Sequence, residues 1–158
     1  DHKLERIEEN AQRLGTDIIE TRLLDAREVG IYFSGQADRV LVDAPCSGLG
    51  VLRRKPDARW HKTPEELRAL PELQLAILRN AADAVKPGGV LVYSTCTIER
   101  AENQAVIEAF LKDNPVFKLE RTGSFLPCLG AHREEEMVQL YPQRDGTDGF
   151  FIARMKRL

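Results

Sequence analysis

Apolar residues recur along this chain with two different periods, and their alternation sets the first reading of the fold. In "KLERIEENAQRLG" the apolar positions Leu4, Ile7, Ala11 and Leu14 lie three or four apart, the spacing of one helix face, and Gly15 marks the stop. "DIIETRLLDARE" predicts a short strand ending near Asp25. "DRVLVDAP" predicts a compact strand over Val40 to Val42, closed by Asp43 and Pro45. A polar loop, "RRKPDARWHKTP", follows. "TPEELRALPELQLAILRNAADAVKPGG" is helical in period, with Thr63 as its cap, Pro64 at its start and Pro87-Gly88-Gly89 at its end. Pro71 is expected to break or restart that helix. "GVLVYSTCT" predicts a buried strand, "RAENQAVIEAFLKDN" a helix ended by Asn114-Pro115, and "VFKLE" a short strand. Residues 122–136 read as an irregular loop, and "EMVQLYP" and "GFFIARMKR" as a closing pair of strands.

Strands with near-continuous apolar runs, alternating with helices, predict an α/β fold with a mostly parallel sheet covered on both faces. In such sheets ligands bind beyond the carboxyl ends of the strands. Asp25, the turn Asp43-Ala44-Pro45-Cys46 and the turn Ser94-Thr95-Cys96 all fall there. Two neighbouring parallel strands, about 4.8 Å apart, would then each present a thiol to one crevice.

Composition narrows the setting. The chain has 158 residues, 42% hydrophobic and 30% charged, with a net charge of −2, enough for one sizeable core. No apolar run approaches the ~18 residues of a membrane span, and "DHKLERIEEN" is unlike a signal peptide. Three cysteines without scaffold spacing suggest reduced thiols and a cytoplasmic protein. His2, His61 and His132 stand apart, so no metal site is expected. Mild acidity excludes a strongly basic nucleic-acid binder but allows a local basic patch, such as "RRK" at 53–55.

Two thiols without a disulfide fit one covalent scheme. A thiolate adds to C6 of a cytosine ring and makes C5 a nucleophile. C5 attacks an electrophilic methyl group, and loss of the C5 proton and of the thiolate restores the ring. One sulfur attacks, and a second group beside it helps release.

The motifs "DAPCSGLG", "RRKPDARW", "LVYSTCTI" with "AENQ", and "DGFFIARM" resemble the Sun/Fmu family of RNA (cytosine-5) methyltransferases. The resemblance runs over almost the whole chain, and PCSG, STCT and DGFF in that order make it specific. It implies a Rossmann-like S-adenosylmethionine-dependent methyltransferase fold with an antiparallel closing strand. The implied substrate is RNA: 16S ribosomal RNA first, with transfer RNA as the alternative, and no membrane partner. By the resemblance, Cys96 matches the nucleophile and Cys46 the second cysteine that assists release. Asp43 matches the acid that contacts the methionine part of the cofactor or the target base, with Pro45 shaping that turn. Asp25 matches the residue that bonds the adenine amino group. Lys55 and Arg54 sit in the segment that lines the site.

The chain departs from that family at one end. The glycine-rich loop that grips the cofactor and the acid that binds its ribose do not occur, so residues 1–158 are expected to be a partial catalytic domain lacking the first two strands. Alone it is expected to bind S-adenosylmethionine weakly or not at all, and to be inactive. Two other readings stay open at this point. A nitrogen-methylating enzyme would carry an acid-Pro-Pro-aromatic string in place of DAPC. A non-catalytic RNA-binding or assembly module would fit the missing strands. Plainer roles are expected for several residues: Cys128 as structural filler, Asp25 as an alternative helix cap, Trp60 as a loop anchor in the core in preference to a stacking surface for a base, Asp148-Gly149 as a turn. His61 and His132 are read as loop residues with no base or metal partner.

Overall fold

The computed structural model describes residues 2–60 and 62–158. Helix α1 (His2–Arg13) is followed by the short helix α2 (Val29–Phe33), and then by strand β1 (Ala37–Asp43). Helix α3 (Pro64–Ala84) leads into β2 (Val85–Thr95), and α4 (Gln104–Asp113) into β3 (Phe117–Leu119). Strand β4 (Met137–Leu140), the single turn α5 (Pro142–Asp145) and strand β5 (Phe150–Arg157) complete the chain.

The sheet runs in the order β1-β2-β5-β3, with β4 also pairing to β5. β1 and β2 are parallel, with Asp43 opposite Ser94, and β5 is antiparallel to β2, β3 and β4. Four strands therefore point one way and β5 alone runs against them, the mostly parallel sheet with an antiparallel closing strand that the sequence predicts. β3 and β4 share one edge of β5, against Met155–Arg157 and Phe150–Ala153 respectively.

Helix α3 begins at Thr63, whose side chain accepts from the Glu66 amide while the Glu66 carboxylate accepts from the Thr63 amide, a reciprocal cap. Contrary to expectation, Pro71 does not interrupt it. A proline removes one intrahelical hydrogen bond. The buried face that follows, Gln74, Ile77, Leu78 and Ala81, packs on β1 and β2 and holds the helix through. The helix ends at Ala84 rather than at Pro87-Gly88-Gly89, which are taken into β2 as an irregularity between the Val85 and Val90 pairings. Gly88 has φ +74 there, a value glycine adopts freely. α4 starts at Gln104, not Arg100, because the Glu102 and Asn103 side chains turn into the core.

Two further expectations are corrected. The stretch before Asp25 is not a strand: among the described residues no strand pairs with it, and Ile18 and Leu23 are 89% and 75% exposed. An extended segment without a ladder partner gains nothing from strand geometry. Coverage by helices on both faces is also incomplete: α3 and α4 contact each other on one side, while Leu41 of β1 is 68% exposed. Within residues 122–136, expected as irregular loop, lie two 3₁₀ segments, Thr122–Phe125 and Pro127–His132, with turn and irregular backbone after them.

Candidate active site

The two thiols meet. Cys46 Sγ lies 3.3 Å from Cys96 Sγ, and both cysteines are free and half-buried. The meeting follows from register. Asp43 and Ser94 end parallel neighbours, Ser94 Oγ donates to Asp43 Oδ1 (2.9 Å), and the Ala44 amide donates to the Ser94 carbonyl (2.9 Å). The two turns therefore leave the sheet side by side.

Around the sulfurs lies a buried polar network. Thr95 Oγ1 donates to Asn103 Oδ1 (2.6 Å), and Asn103 Nδ2 donates to the Thr97 carbonyl (3.1 Å) and to Gln139 Oε1 on β4 (2.7 Å). Ser47 Oγ and Thr97 Oγ1 share a hydrogen bond of 2.7 Å. The Ser47 amide and Gln74 Nε2 both donate to Glu102 Oε2, at 2.8 and 2.9 Å. Below the turns, the Gly50 amide donates to the Cys96 carbonyl (3.0 Å) and the Gly149 amide to the Gly50 carbonyl (2.8 Å), which ties the DGFF turn to both thiol loops.

Burial raises the Cys46 pKa from an ordinary 9.0 to about 12, and its hydrogen bond to Cys96 adds to the shift. Cys46 therefore keeps its proton at neutral pH.

The other predicted residues are placed as follows. Asp43 and Pro45 line a pocket of ≈ 470 Å³ at the free edge of β1, walled by Val29, Phe33, Val40 and Ile77. Because Pro45 adjoins Cys46, the pocket and the thiol pair share one turn. Asp25 is flanked by two residues of the pocket wall, Leu24 and Ala26. Its carboxylate accepts from the Arg27 amide and pairs with the Arg27 side chain, so it does cap the turn Ala26–Glu28. That side-chain bond, with the amide bond, lowers its pKa to about 2. Arg54 Nε and Arg53 Nε both bind Asp148, at 2.9 and 2.5 Å, and Lys55 is exposed beside them. Asp148 thus does more than make a turn: it gathers the basic loop against the thiol turns. Trp60 is 73% exposed and not a core anchor, and Cys128 is exposed rather than filler. His61 lies outside the described residues. Among the described residues, no group of three or more His, Cys, Asp or Glu could hold a metal ion, and no helix is long and apolar enough to cross a membrane.

His132 also departs from its sequence reading. It is buried, with Nδ1 3.0 Å from Glu135 and Nε2 2.9 Å from Asp145. Burial disfavours the imidazolium, but the two carboxylates outweigh it and raise the pKa above 6.5. The Tyr141 amide is the main cause that lowers Asp145 to about 2, with Arg144 and His132 contributing. A raised histidine stabilises the fold below its unfolded pKa, and that share is lost as pH rises through the folded value. A lowered carboxylate stabilises above 3.8 and loses its share as pH falls towards about 2. The His132–Asp145 pair therefore contributes most between pH 3.8 and 6.5. We expect the melting midpoint of the unaltered protein to decline as pH rises above 6.5, and a His132→Gln variant to lose that decline. Parallel pH profiles for the two proteins would reject this.

The mostly parallel sheet with its single reversed strand, and the likeness to the solved structures below, give a Rossmann-like fold of the S-adenosylmethionine-dependent methyltransferase class. Within that class the chain belongs to the 16S rRNA methyltransferase RsmB/F family, whose profile matches residues 1–156. It is 46% identical over 159 residues to a probable ribosomal RNA small subunit methyltransferase B of Bacillus subtilis, covering 99% of this chain and 36% of that protein. The crystal structure of PH0851 matches 99% of the chain and 35% of its own, with a TM-score of 0.89 and 34% identity. NSun6 from Pyrococcus horikoshii, solved with SFG, matches 99% of the chain and 39% of its own at TM-score 0.81 and 33% identity. The chain spans about a third of the length of the curated relatives it matches.

Sequence reasoning missed Gln74, Glu102 and Asp148 as parts of the site. The signals were the "AENQ" string following STCT, a Glu-Asn pair set between the thiol strand and an apolar helix, and Asp148 at the head of "DGFF".

Proposed function

We propose that this chain is the thiol-bearing part of an RNA (cytosine-5) methyltransferase acting on 16S ribosomal RNA. The observation that carries the reading is the 3.3 Å approach of two free thiols on turns that follow adjacent parallel strands. Methylation of a nitrogen lone pair needs no thiol, whereas C5 of cytosine needs one.

The Cys96 thiolate adds to C6 of the target cytidine. The new S–C6 bond pushes the C5=C6 electron pair onto C5. C6 is reachable only when the base leaves its stack, so the target is an unpaired or flipped cytidine. S-adenosylmethionine, when bound, supplies the electrophilic methyl group that C5 takes. A water molecule takes the C5 proton; the C5–H electron pair returns to the C5–C6 bond and expels the Cys96 thiolate. Cys46 holds its proton throughout, because burial favours the neutral thiol. Its S–H donates to the Cys96 sulfur, which eases departure of the thiolate.

The residues present suit the methyl donor in part. A pocket of ≈ 470 Å³ is within the range of small-ligand sites, and its apolar walls fit a flat heteroaromatic ring. Asp25 would take the adenine amino group, and Asp43 and Pro45 the methionine end. The similar structure solved with SFG, an S-adenosylmethionine analogue, supports this reading. Arg54 and Lys55 would contact RNA phosphates, which positions the strand without reading its sequence.

The test is a covalent trap in the protein that carries this chain. Cys46→Ala, incubated with 16S ribosomal RNA and S-adenosylmethionine, should accumulate a protein–RNA adduct that survives denaturation. Adding Cys96→Ala should abolish it. An adduct that persists without Cys96 would remove that residue as the attacker.

A further inference from the structure

The residues on both sides of each cysteine are held by one dipeptide, directly at Ser47, Thr95 and Thr97 and through Gln74 at Pro45. Glu102 is 2% exposed. A carboxylate so buried is costly unless hydrogen-bonded. Its Oε2 accepts from the Ser47 amide, just after Cys46, and from Gln74 Nε2. The same Gln74 nitrogen donates to the Pro45 carbonyl (2.9 Å), just before Cys46. Asn103, fully buried, takes the other turn: Thr95 Oγ1 on one side of Cys96 and the Thr97 carbonyl on the other. Tyr93 OH donates to the Glu102 carbonyl (2.7 Å), which fixes the dipeptide to β2. Adjacent residues cannot move apart, so the two turns move together or not at all.

We propose that Glu102-Asn103 is a positioning element that sets the separation of the Cys46 and Cys96 sulfurs. Glu102 holds the first thiol turn and Asn103 the second. This rests on the proposed function only for its catalytic consequence.

The spacing can be read without RNA or methyl donor. Phenylarsine oxide bridges two close thiols: two As–S bonds form, the thiols give up their protons, and the oxide oxygen leaves as water. In the protein that carries this chain, the arsenical should be held against excess monothiol, and Cys46→Ala should abolish that retention. Glu102→Ala and Asn103→Ala should each weaken it about 100-fold, the scale on which small displacements at a site are felt. Glu102→Gln should rescue it. Its amide oxygen can accept from Ser47 and Gln74 while its NH₂ faces Thr97 Oγ1, 3.5 Å from the present Oε1. Alkylation of exposed Cys128 should be the same in all variants. Alanine variants that hold the arsenical like the unaltered protein overturn the proposal. So does a Glu102→Gln variant as weak as Glu102→Ala, since the effect would then come from charge. Should an alanine variant fail to fold, Glu102→Gln and Gln74→Met decide: retention must survive the first and fall in the second. The arsenical result and the RNA adduct can fail independently, so loss of one does not mask the other.

Discussion

Gly50→Ala should lower stability by about 3 kcal/mol or more, from overpacking against rigid backbone. A methyl group on Gly50 would sit 2.1 Å from the Gly149 carbonyl oxygen and 2.8 Å from the Cys96 carbonyl oxygen. Neither oxygen can rotate away as a flexible side chain would. The Cys96 carbonyl already accepts from the Gly50 amide, and the Gly50 carbonyl from the Gly149 amide, so relief means breaking both bonds. For a domain of this size the expected fall in melting midpoint is about 6–12 °C. Gly149→Ala attacks the same contact from the other side, with Ile98 Cγ2 at 2.5 Å and the Gly50 Cα at 2.8 Å. Since both variants disrupt one contact, the double variant should cost less than the sum. Gly130→Ala, with nothing within 4 Å of the added methyl, is the control and should melt unchanged. A Gly50→Ala protein that melts with that control would mean that the three loops are not locked as described.

That contact also marks where sequence reading stops. The strands that carry the thiols are legible because continuous apolar runs end at Asp43 and at Thr95, and parallel neighbours place their ends together. The long helix is legible from Thr63 and its period. The clasp of Asp148 on Arg53 and Arg54 is not, because it joins charges some 95 positions apart and a charge run alone reads as solvated loop. Glu102 is hidden for a related reason: glutamate is ordinarily exposed, and only the amides folded against it make burial tolerable. His132 looked partnerless because Asp145 reaches it from another turn. Pro71 misled because local propensity predicts a break where tertiary burial of the following turns overrides it. The stretch before Asp25 has strand composition, but a strand exists only against a neighbour.

On the proposed function, Cys96→Ser should reduce methyl transfer to 16S ribosomal RNA by about 10⁴-fold or more, the loss seen when a covalent nucleophile is removed from a unit of cooperating groups. The substitution is close to isosteric. Thr95 and Thr97 stay held by Asn103, and the Cys96 carbonyl still accepts from Gly50, so the fold should shift by no more than about 1 kcal/mol. What changes is ionisation: a hydroxyl gives up its proton far less readily than a thiol and cannot add to C6 at neutral pH. Cys46→Ser acts at a different step. Its hydroxyl can still donate towards the Cys96 sulfur, so attack persists and release slows less than in Cys46→Ala, which has no donor. In the proposed mechanism the two sulfurs act on one ring in sequence, so Cys46→Ser added to Cys96→Ser should cost nothing further. Single-turnover transfer of labelled methyl, with melting curves on the same preparations, checks all three variants. A Cys96→Ser protein that keeps more than about a hundredth of the activity would fall short of the loss expected on removing a nucleophile. The chemistry would then have to pass to Cys46 or dispense with covalent addition, and the 3.3 Å sulfur pair would need another explanation.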